Sequence, residues 1–378
     1  MSDAQKVYTK VLAALKQTLS RTSQRHLTVM ALMISTMVRK GTCSLTQIAR
    51  ATPSKAKLES ITRRFQRFVA NSNIHPETIM LPFTQQILRS FQGKQLHLAL
   101  DVSCVGRGCL ALMIGIVYKG RLLPLIWEVA KGKKGHWSSA RHVAFAKKAF
   151  ELIGERDNVV ILGDGEYDNV PFLRYVAEEC GWNFVVRTAK NTLIGGGPYA
   201  KQLKHELPVK EGETLWRKNT VVTADEFGPV HVVAHWKTGE DKPWYLLSSF
   251  SIPQKSLDFY RKRFVIETFF SDQKSRGFKM DKSRIECPER LSRLLMLCCL
   301  SYLWMIYLGV RLVAMGKVDL VDRSLERQDK SLFQIGLSWL ERLLTNGKHF
   351  PVRFALPRQL VLSDVWLSRH WLPNKTVM

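Results

Sequence analysis

The stretch QLHLALDVSCV, residues 95–105, decides the fold of this chain. Apolar and polar residues alternate at its start, and an apolar run then leads into Asp101, a pattern typical of a strand that ends in a carboxylate. The apolar segments CLALMIGIVY and RLLPLIWEVA follow, on either side of Lys119-Gly120. They predict a hairpin whose turn contains glycine. The chain therefore opens a sheet with three consecutive strands.

A second carboxylate follows a later strand. A helix is predicted from Ser138 to Ile153, after which NVVILGDGEYDN, residues 158–169, gives a short buried strand that runs into Asp164. A helix from about residue 170 to 180 and a strand at residues 183–187 come next. This order predicts an α/β core in which helices cover a mixed sheet. Acids stand at the ends of its first and fourth strands.

The chain before the sheet, residues 1–92, is predicted to be helical. Residues 44–68 fit a helix-turn-helix, because Pro53 interrupts two segments of helical periodicity and Ser44 suits the start of the first. The second helix of such a motif presents side chains to the phosphates or base edges of DNA, whereas a plain three-helix bundle would only expose a basic face to solvent. The candidate DNA-contacting residues are Lys55, Lys57, Arg63, Arg64 and Arg67.

Residues 93–188 are predicted to be the first part of the core. The chain after them divides into three further segments. Short alternating runs with turn residues predict an all-β insertion at residues 189–250. Residues 251–318 are predicted to be the second part of the core, and residues 319–378 a helical C-terminal region that is a candidate for dimerisation. Leu294 to Val310 is uncharged for seventeen residues, and its polar content favours a buried core helix over a membrane span.

The net charge indicates which class of partner the protein binds. Its 378 residues include 57 Lys and Arg against 32 Asp and Glu, which gives a formal net charge of +25 and a sequence pI near 9.9. Such a field suits a polyanion, and nucleic acid is favoured over an anionic membrane because the basic residues are spread through folded segments. The seven cysteines are odd in number and lack zinc spacings, which fits a reducing compartment.

The stretch DFYRKRFVIETFFSDQKSRGF, residues 258–278, carries a concentration of reactive and charged groups. As one helix it would have two separate polar strips. The first lies beside apolar residues, is expected to be partly buried, and comprises Tyr260, Arg263, Glu267 and Lys274. The second is expected to be the solvated face and comprises Arg261, Thr268 and Asp272. The simpler alternative for the first strip is an Arg263–Glu267 ion pair on an amphipathic helix, with an unrelated tyrosine and lysine.

Three carboxylates from distant parts of the chain could act together, namely Asp101, Asp164 and Glu267. Hard divalent cations such as Mg2+ take oxygen ligands and leave positions open for substrate phosphates. Two such ions can assist both the attacking and the leaving oxygen of an in-line phosphoryl displacement. Each acid alone is weak support, because an Asp at the end of a strand is often a turn residue or a helix cap.

The sequence here resembles the DDE-type insertion-sequence transposases of the IS-four group, whose third-acid region has the pattern Y-x2-R-x3-E-x6-K. Tyr260, Arg263, Glu267 and Lys274 match every position of it. The resemblance runs from about Asp101 to Phe278, and its further motifs are DGEYD at 164–168, FVVRT at 184–188 and WYLLS at 244–248. One departure is Gly165, which stands where many members have Arg.

The resemblance implies a ribonuclease H-like core and a role for each matched residue. Asp101, Asp164 and Glu267 would hold two Mg2+ ions, for which Mn2+ could substitute. Groups near the cleaved DNA end would contact its phosphates, and the residues implied are Tyr260, Arg263, Lys274 and Arg187. Trp244, with Trp236 as second choice, would stack on a base extruded when the DNA bends into a hairpin. The alternative for Trp244 is a core tryptophan of the β insertion.

The function implied is cut-and-paste transposition of an insertion sequence: end cleavage, hairpin formation and resolution, and strand transfer. The implied partners are the double-stranded DNA of the transposon ends and the target, and a second copy of the chain in a homodimer, in the bacterial cytoplasm at the nucleoid and not at a membrane. Two alternatives stay open, a metal-dependent nuclease without strand transfer and a catalytically silent DNA-binding protein. A tyrosine recombinase using Tyr260 is disfavoured, because no supporting Arg–His–Arg arrangement accompanies it.

Overall fold

Helices fill the N-terminal part of the protein. The computed structural model describes residues 1–132, 137–322 and 330–362. Ser2 and Ser23 cap the first two helices, because each hydroxyl accepts a backbone N–H of the first turn at 3.3 Å. Pro53 lies in the turn between the third helix and the fourth. The helices are α1 (Asp3–Thr18), α2 (Gln24–Lys40), α3 (Leu45–Ala51), α4 (Leu58–Ala70) and α5 (Pro76–Ser90).

The predicted mixed sheet with helices is present. Its first elements are β1 (Leu96–Gly106), β2 (Cys109–Tyr118), β3 (Arg121–Lys131), α6 (Ser139–Ile153), β4 (Val159–Gly163), α7 (Val170–Arg174) and β5 (Asn183–Thr188). The strands β1, β2 and β3 are antiparallel neighbours, whereas β4 lies parallel to both β1 and β5. Lys119 and Gly120 form the β2–β3 turn with φ of 46° and 71°, the left-handed backbone that a tight hairpin favours.

Residues 189–250 extend the same sheet. They contain β6 (Leu193–Ile194), β7 (Lys201–Gln202), α8 (Leu203–Glu206), β8 (Thr214–Val222), β9 (Phe227–His235) and β10 (Trp244–Ser248). The strand order is β3-β2-β1-β4-β5-β10-β9-β8-β6-β7. The strand β10 is hydrogen-bonded to β5, and the other strands of this segment follow β10 toward the edge of the sheet. The segment also includes α8 and a 3-10 turn at Gly197–Tyr199, so strands are not its only regular structure.

The helix expected over residues 258–278 is instead two helices, α9 (Pro253–Lys262) and α10 (Val265–Gln273). Backbone bonds from Arg263 N–H to the Tyr260 carbonyl, 3.0 Å, and from Ile266 N–H to the Arg263 carbonyl, 3.1 Å, tighten the chain between them. The α10 helix packs on β1 and β3, and α9 packs on β4 and β5. Lys274 follows the end of α10, so it is not on the helix.

The solvent exposure of this region also differs from the expectation. Asp272, expected on the solvated face, is buried with 1% of its surface exposed, whereas the side chain of Glu267, expected to be partly buried, is 53% exposed. Tyr260 and Arg263 are buried, as the pattern predicts. A helical wheel shows which residues share a face, but neighbouring elements decide which face is covered.

The C-terminal part of the core is built on α11 (Pro288–Ala314), which packs against α2, α4 and β3. It is long and apolar enough to cross a membrane, but 89% of its most apolar 18-residue stretch is buried inside the protein, as predicted for a core helix. The helix α12 (Leu332–Thr345) crosses it with backbones in close contact, because Gly309 faces the Leu332 carbonyl and Gly336 faces the Met305 carbonyl. Within the described residues, the last helix is α13 (Arg358–Leu362). Part of the predicted C-terminal region, residues 323–329 and 363–378, lies outside the described residues.

Candidate active site

Two of the predicted acids lie side by side on neighbouring parallel strands, Asp101 within β1 and Asp164 directly after β4. The prediction that the first strand ends at Asp101 was wrong, because β1 continues to Gly106 in its pairing with β2. The register pairs Ala99 of β1 with Leu162 of β4, and two residues further along both strands come Asp101 and Asp164. Adjacent strands are about 4.8 Å apart, so these carboxylates are neighbours. Asp101 Oδ1 accepts the N–H of Val102 at 2.7 Å, and Asp164 Oδ1 accepts the N–H of Glu166 at 3.0 Å. Both side chains are thereby oriented by the backbone.

A buried arginine brings the third acid to this place. Arg263 is 5% exposed, and its Nη2 donates to Oε1 of Glu267 at 2.8 Å. Burial by itself lowers the pKa of Arg263, but nearby negative charge outweighs it and raises that pKa above the ordinary value. The groups that supply this charge are Tyr260, Glu267, Asp101 and Asp164. Arg263 is therefore the common neighbour of all three predicted acids.

The carboxylate oxygens of Asp101 and Asp164 are the donors that a hard divalent ion prefers. Among the described residues, no group of three or more His, Cys, Asp or Glu side chains is close enough to hold a metal ion. Glu267 points to Arg263 and not to the two aspartates. Mg2+ is commonly held by one or two carboxylates together with substrate phosphates, so Asp101 and Asp164 fit such an ion by themselves. Glu267 joins this set only if its side chain leaves Arg263.

An aromatic cluster borders the same place. The ring of Trp244 lies 5.0 Å from that of Tyr260 and 5.8 Å from that of Phe264, and the guanidinium of Arg263 lies 4.6 Å over the Phe264 ring. Trp244 is half-buried and Phe264 is 37% exposed, so the cluster has an open side. Trp236, the second choice, instead donates its Nε1–H to the Glu240 carbonyl at 2.7 Å in a turn.

The other basic residues of the predicted set also converge. Burial raises the pKa of Tyr260, while Arg263 and Arg187 oppose the rise, which shows that Arg187 is near this phenol. Lys274 Nζ donates to Oγ of Ser103 at 2.8 Å, and Ser103 is on β1 two residues after Asp101. The residues Tyr260, Arg263, Lys274 and Arg187 thus border the acids, although they do not share one helix.

Sequence reasoning missed two buried groups behind Asp164. Tyr167 is fully buried, and burial together with Asp101, Asp164 and Glu166 raises the pKa of its phenol well above the ordinary value. Its hydroxyl has no hydrogen-bond partner among the described residues. His142 of α6 lies against the Tyr167 ring at 4.9 Å, with Nε2 3.7 Å from Oε1 of Glu166. The Glu166-Tyr167 pair inside DGEYD could have indicated Tyr167, because it is close to Asp164 in sequence. No local sequence pattern indicated His142.

The N-terminal basic residues form a separate surface. Arg63, Arg64 and Arg67 are exposed on α4, while Lys57 is the residue before that helix and Lys55 lies in the preceding turn. They are on the outside of the pair formed by α3 and α4, whose buried side is apolar. Their arrangement is compatible with the predicted helix-turn-helix, and the role in DNA contact stays a prediction.

Carboxylates side by side on parallel strands, with arginine and lysine around them, form a site suited to metal-dependent chemistry on a phosphate ester. Residues 135–304 match the family model described as "Transposase DDE domain", a range that contains Asp164 and Glu267 and begins after Asp101. This match supports a metal-dependent DNA-cleaving enzyme that carries a transposase DDE domain.

No match was found among curated protein sequences. Among solved structures, the chain is similar to a piggyBac transposase synaptic complex with hairpin DNA, at 13% sequence identity and a TM-score of 0.48. The alignment covers 92% of this chain and 84% of that chain.

Proposed function

We propose that this protein is an insertion-sequence transposase of the IS-four group, which moves a DNA element by cut-and-paste transposition. One observation carries the proposal: Asp101 and Asp164 lie side by side on neighbouring parallel strands, and Arg263 is close to both of them and to Glu267. The family match to a transposase DDE domain supports the reaction class. The pattern Y-x2-R-x3-E-x6-K in residues 260–274 supports the narrower group.

A ribonuclease H-like core is part of this proposal. The strand order β3-β2-β1-β4-β5, with only β1, β4 and β5 parallel, supports it. Residues 189–250 are then an insertion between the last core strand and the helices that carry Arg263 and Glu267. Because β10 pairs with β5, the insertion places Trp244 beside Tyr260 and fixes it there.

The three acids would hold two Mg2+ ions, with Asp101 and Asp164 as the fixed ligands and Glu267 as the movable one. When bound, such ions assist both the attacking and the leaving oxygen of an in-line phosphoryl displacement. Arg263 holds the acids together in the free protein by neutralising part of their charge. A DNA phosphate competes for this guanidinium, because arginine binds phosphate through the same planar fork. Glu267 is then released to turn toward the aspartates.

The reaction proceeds in four steps. Water attacks a phosphodiester at the transposon end and frees a 3′-hydroxyl, which attacks the opposite strand and closes a hairpin. A second water opens the hairpin, and the 3′-hydroxyl then attacks the target DNA. Tyr260, Lys274 and Arg187 position phosphates beside the acids, and Trp244 stacks on the base that the hairpin bend extrudes. A homodimer at the bacterial nucleoid, with one DNA end bound to each chain, completes the proposal.

The test is cleavage of transposon-end DNA in the presence of Mg2+, followed by an assay for products joined to a target plasmid. The wild type should cleave and join, whereas Asp101→Asn, Asp164→Asn and Glu267→Gln should each abolish cleavage while still binding DNA. Asp225→Asn, an exposed carboxylate in the turn between β8 and β9, is the matched control and should stay active.

Each other outcome would indicate a different function for this protein. Cleavage without joined products would indicate a nuclease, and DNA binding without cleavage would indicate a silent DNA-binding protein. Full activity of any one of the three acid variants would show that the site is wrong.

A further inference from the structure

A large groove in the described part of the protein lies away from the acids. It has a volume of about 1400 Å³, which exceeds the usual range of about 300–1,000 Å³ for a small-molecule site. Its lining does not include Asp101, Asp164 or Glu267. One wall is the pair α3 and α4, and the other is the segment 279–290 that leads from the active-site helices into α11. The size of the groove suits a macromolecule.

Both walls of the groove are strongly basic. The helical wall contributes Arg50, Arg63 and Arg67. The opposite wall contributes Lys279, Lys282, Arg284 and Arg290, and the β1–β2 turn adds Arg107. All eight side chains belong to exposed residues, and the acids in the lining are Asp281 and Glu286. Among the described residues, Arg107 alone of the eight forms an ion pair, with Glu286 at 3.3 Å.

The two walls are fixed to each other. The buried guanidinium of Arg293, on α11, donates from Nε to the Ile74 carbonyl at 2.8 Å and from Nη1 to the Val69 carbonyl at 3.1 Å. These carbonyls lie at and just after the end of α4. The Cys43 N–H donates to the Phe278 carbonyl at 2.7 Å, which joins the start of the helical pair to the opposite segment. The groove is therefore a built feature and not a gap between independent parts.

The second wall has backbone that costs energy to hold. Lys279 and Arg284 have φ of 54° and 60°, the left-handed region that residues with a side chain rarely adopt. Strained backbone of this kind persists where surrounding contacts impose it and is common at binding sites. Here it sets two basic side chains along one wall.

We propose that this groove binds double-stranded DNA, with phosphates held from both walls at once. The inference rests on the proposed function, in which the DNA is the transposon end, and deepens it by naming where the duplex lies beyond the cleaved phosphodiester. Two opposed rows of cations match the two phosphate backbones that border a groove of the duplex. In the free protein, Glu286 forms an ion pair with Arg107. In the complex, a DNA phosphate takes the place of the Glu286 carboxylate.

The test is binding of a fluorescent DNA duplex of about 30 base pairs, measured at several salt concentrations. The slope of log K against log salt is negative, and each lost phosphate contact reduces its magnitude by about 0.9. Arg63→Gln and Arg284→Gln, one from each wall, should each reduce that magnitude by about 1 and the pair by about 2. Lys16→Gln with Arg342→Gln is the matched control, since both residues are exposed and outside the groove lining. Glu286→Gln should tighten binding, because it removes the competitor of the phosphate.

An unchanged slope in either single variant would overturn the proposal, since a clamp needs both walls. Stronger binding of an RNA duplex of the same length would overturn it as well. The cleavage assay separates this proposal from the proposed function. If the wild type cleaves and joins DNA while the groove variants bind it normally, the groove assignment fails and the transposase stands. If the groove variants lose binding while the wild type never cleaves, the groove stands and the transposase fails.

Discussion

Replacing Asp272 with asparagine should stabilise the protein at neutral pH and have little effect in acid. Asp272 is buried on α10, five residues after Glu267, and its Oδ2 has no hydrogen-bond partner among the described residues. Burial raises its pKa from the ordinary value of 3.8 to about 6, although Arg121 and Arg276 oppose the rise. The folded state therefore favours the protonated carboxyl, and asparagine imitates that form.

The expected size follows from the two pKa values. Because the pKa is higher in the folded state, the unfolded chain loses the proton first, and stability falls as the pH rises from about 4 to about 6. The difference between 3.8 and about 6 corresponds to about 3 kcal/mol of unfolding free energy, which the wild type lacks above that range. Asp272→Asn should recover most of it at about pH 8 and almost none at about pH 4.

The assay is urea unfolding of the wild type and the variant across that pH range, with Asp225→Asn as an exposed control. The stability difference for Asp272→Asn should grow between about pH 4 and pH 6 and then stay constant. A difference that is the same at every pH would refute the reasoning, because it would mean that Asp272 has the same pKa in the folded and unfolded states. The control should show no such growth.

Contacts described above lead to three further predictions. Arg293→Met leaves the Val69 and Ile74 carbonyls unpaired, so urea unfolding should show a loss of about 3 kcal/mol, and DNA binding should weaken as the groove walls separate. Gly336→Val places a side chain against the Met305 carbonyl where α11 and α12 cross, and thermal unfolding should reveal a loss of about 3 kcal/mol, whereas Gly347→Ala, beyond α12, should cost less. Trp244→Ala should spare the first nick and reduce the yield of hairpin DNA; normal hairpin yield would exclude Trp244 from that step.

Local sequence pattern was sufficient for the sheet and for two of the acids. Alternation and apolar runs depend on neighbouring residues only, so β1 and β4 could be predicted, but not that β1 continues past Asp101 to Gly106. Once both strands are known to be parallel and Ala99 is known to pair with Leu162, Asp101 and Asp164 must lie side by side. The resemblance around residues 260–274 then indicated which later acid belongs with them.

What could not be predicted depends on contacts distant in sequence. The tightened turn at Arg263 accompanies the burial of its guanidinium among acids from β1 and β4, which a helical wheel does not contain. The burial of Asp272 follows from the packing of α10 on the sheet. The place of β10, between β5 and β9, depends on strand pairing across the whole insertion. Each of these is a tertiary effect that overrides a local pattern.

The position of α11 in the chain has a consequence for synthesis. This helix would be the most aggregation-prone segment if it were exposed, because its apolar residues extend all the way round it. The elements that cover it, α2, α4, α5 and β3, all precede it in sequence, and only α12 and α13 of its described partners come later. A ribosome therefore releases the helix after four of the elements that pack against it have been made. We expect premature termination before residue 288 to leave an open apolar cleft, and such fragments to be captured by chaperones.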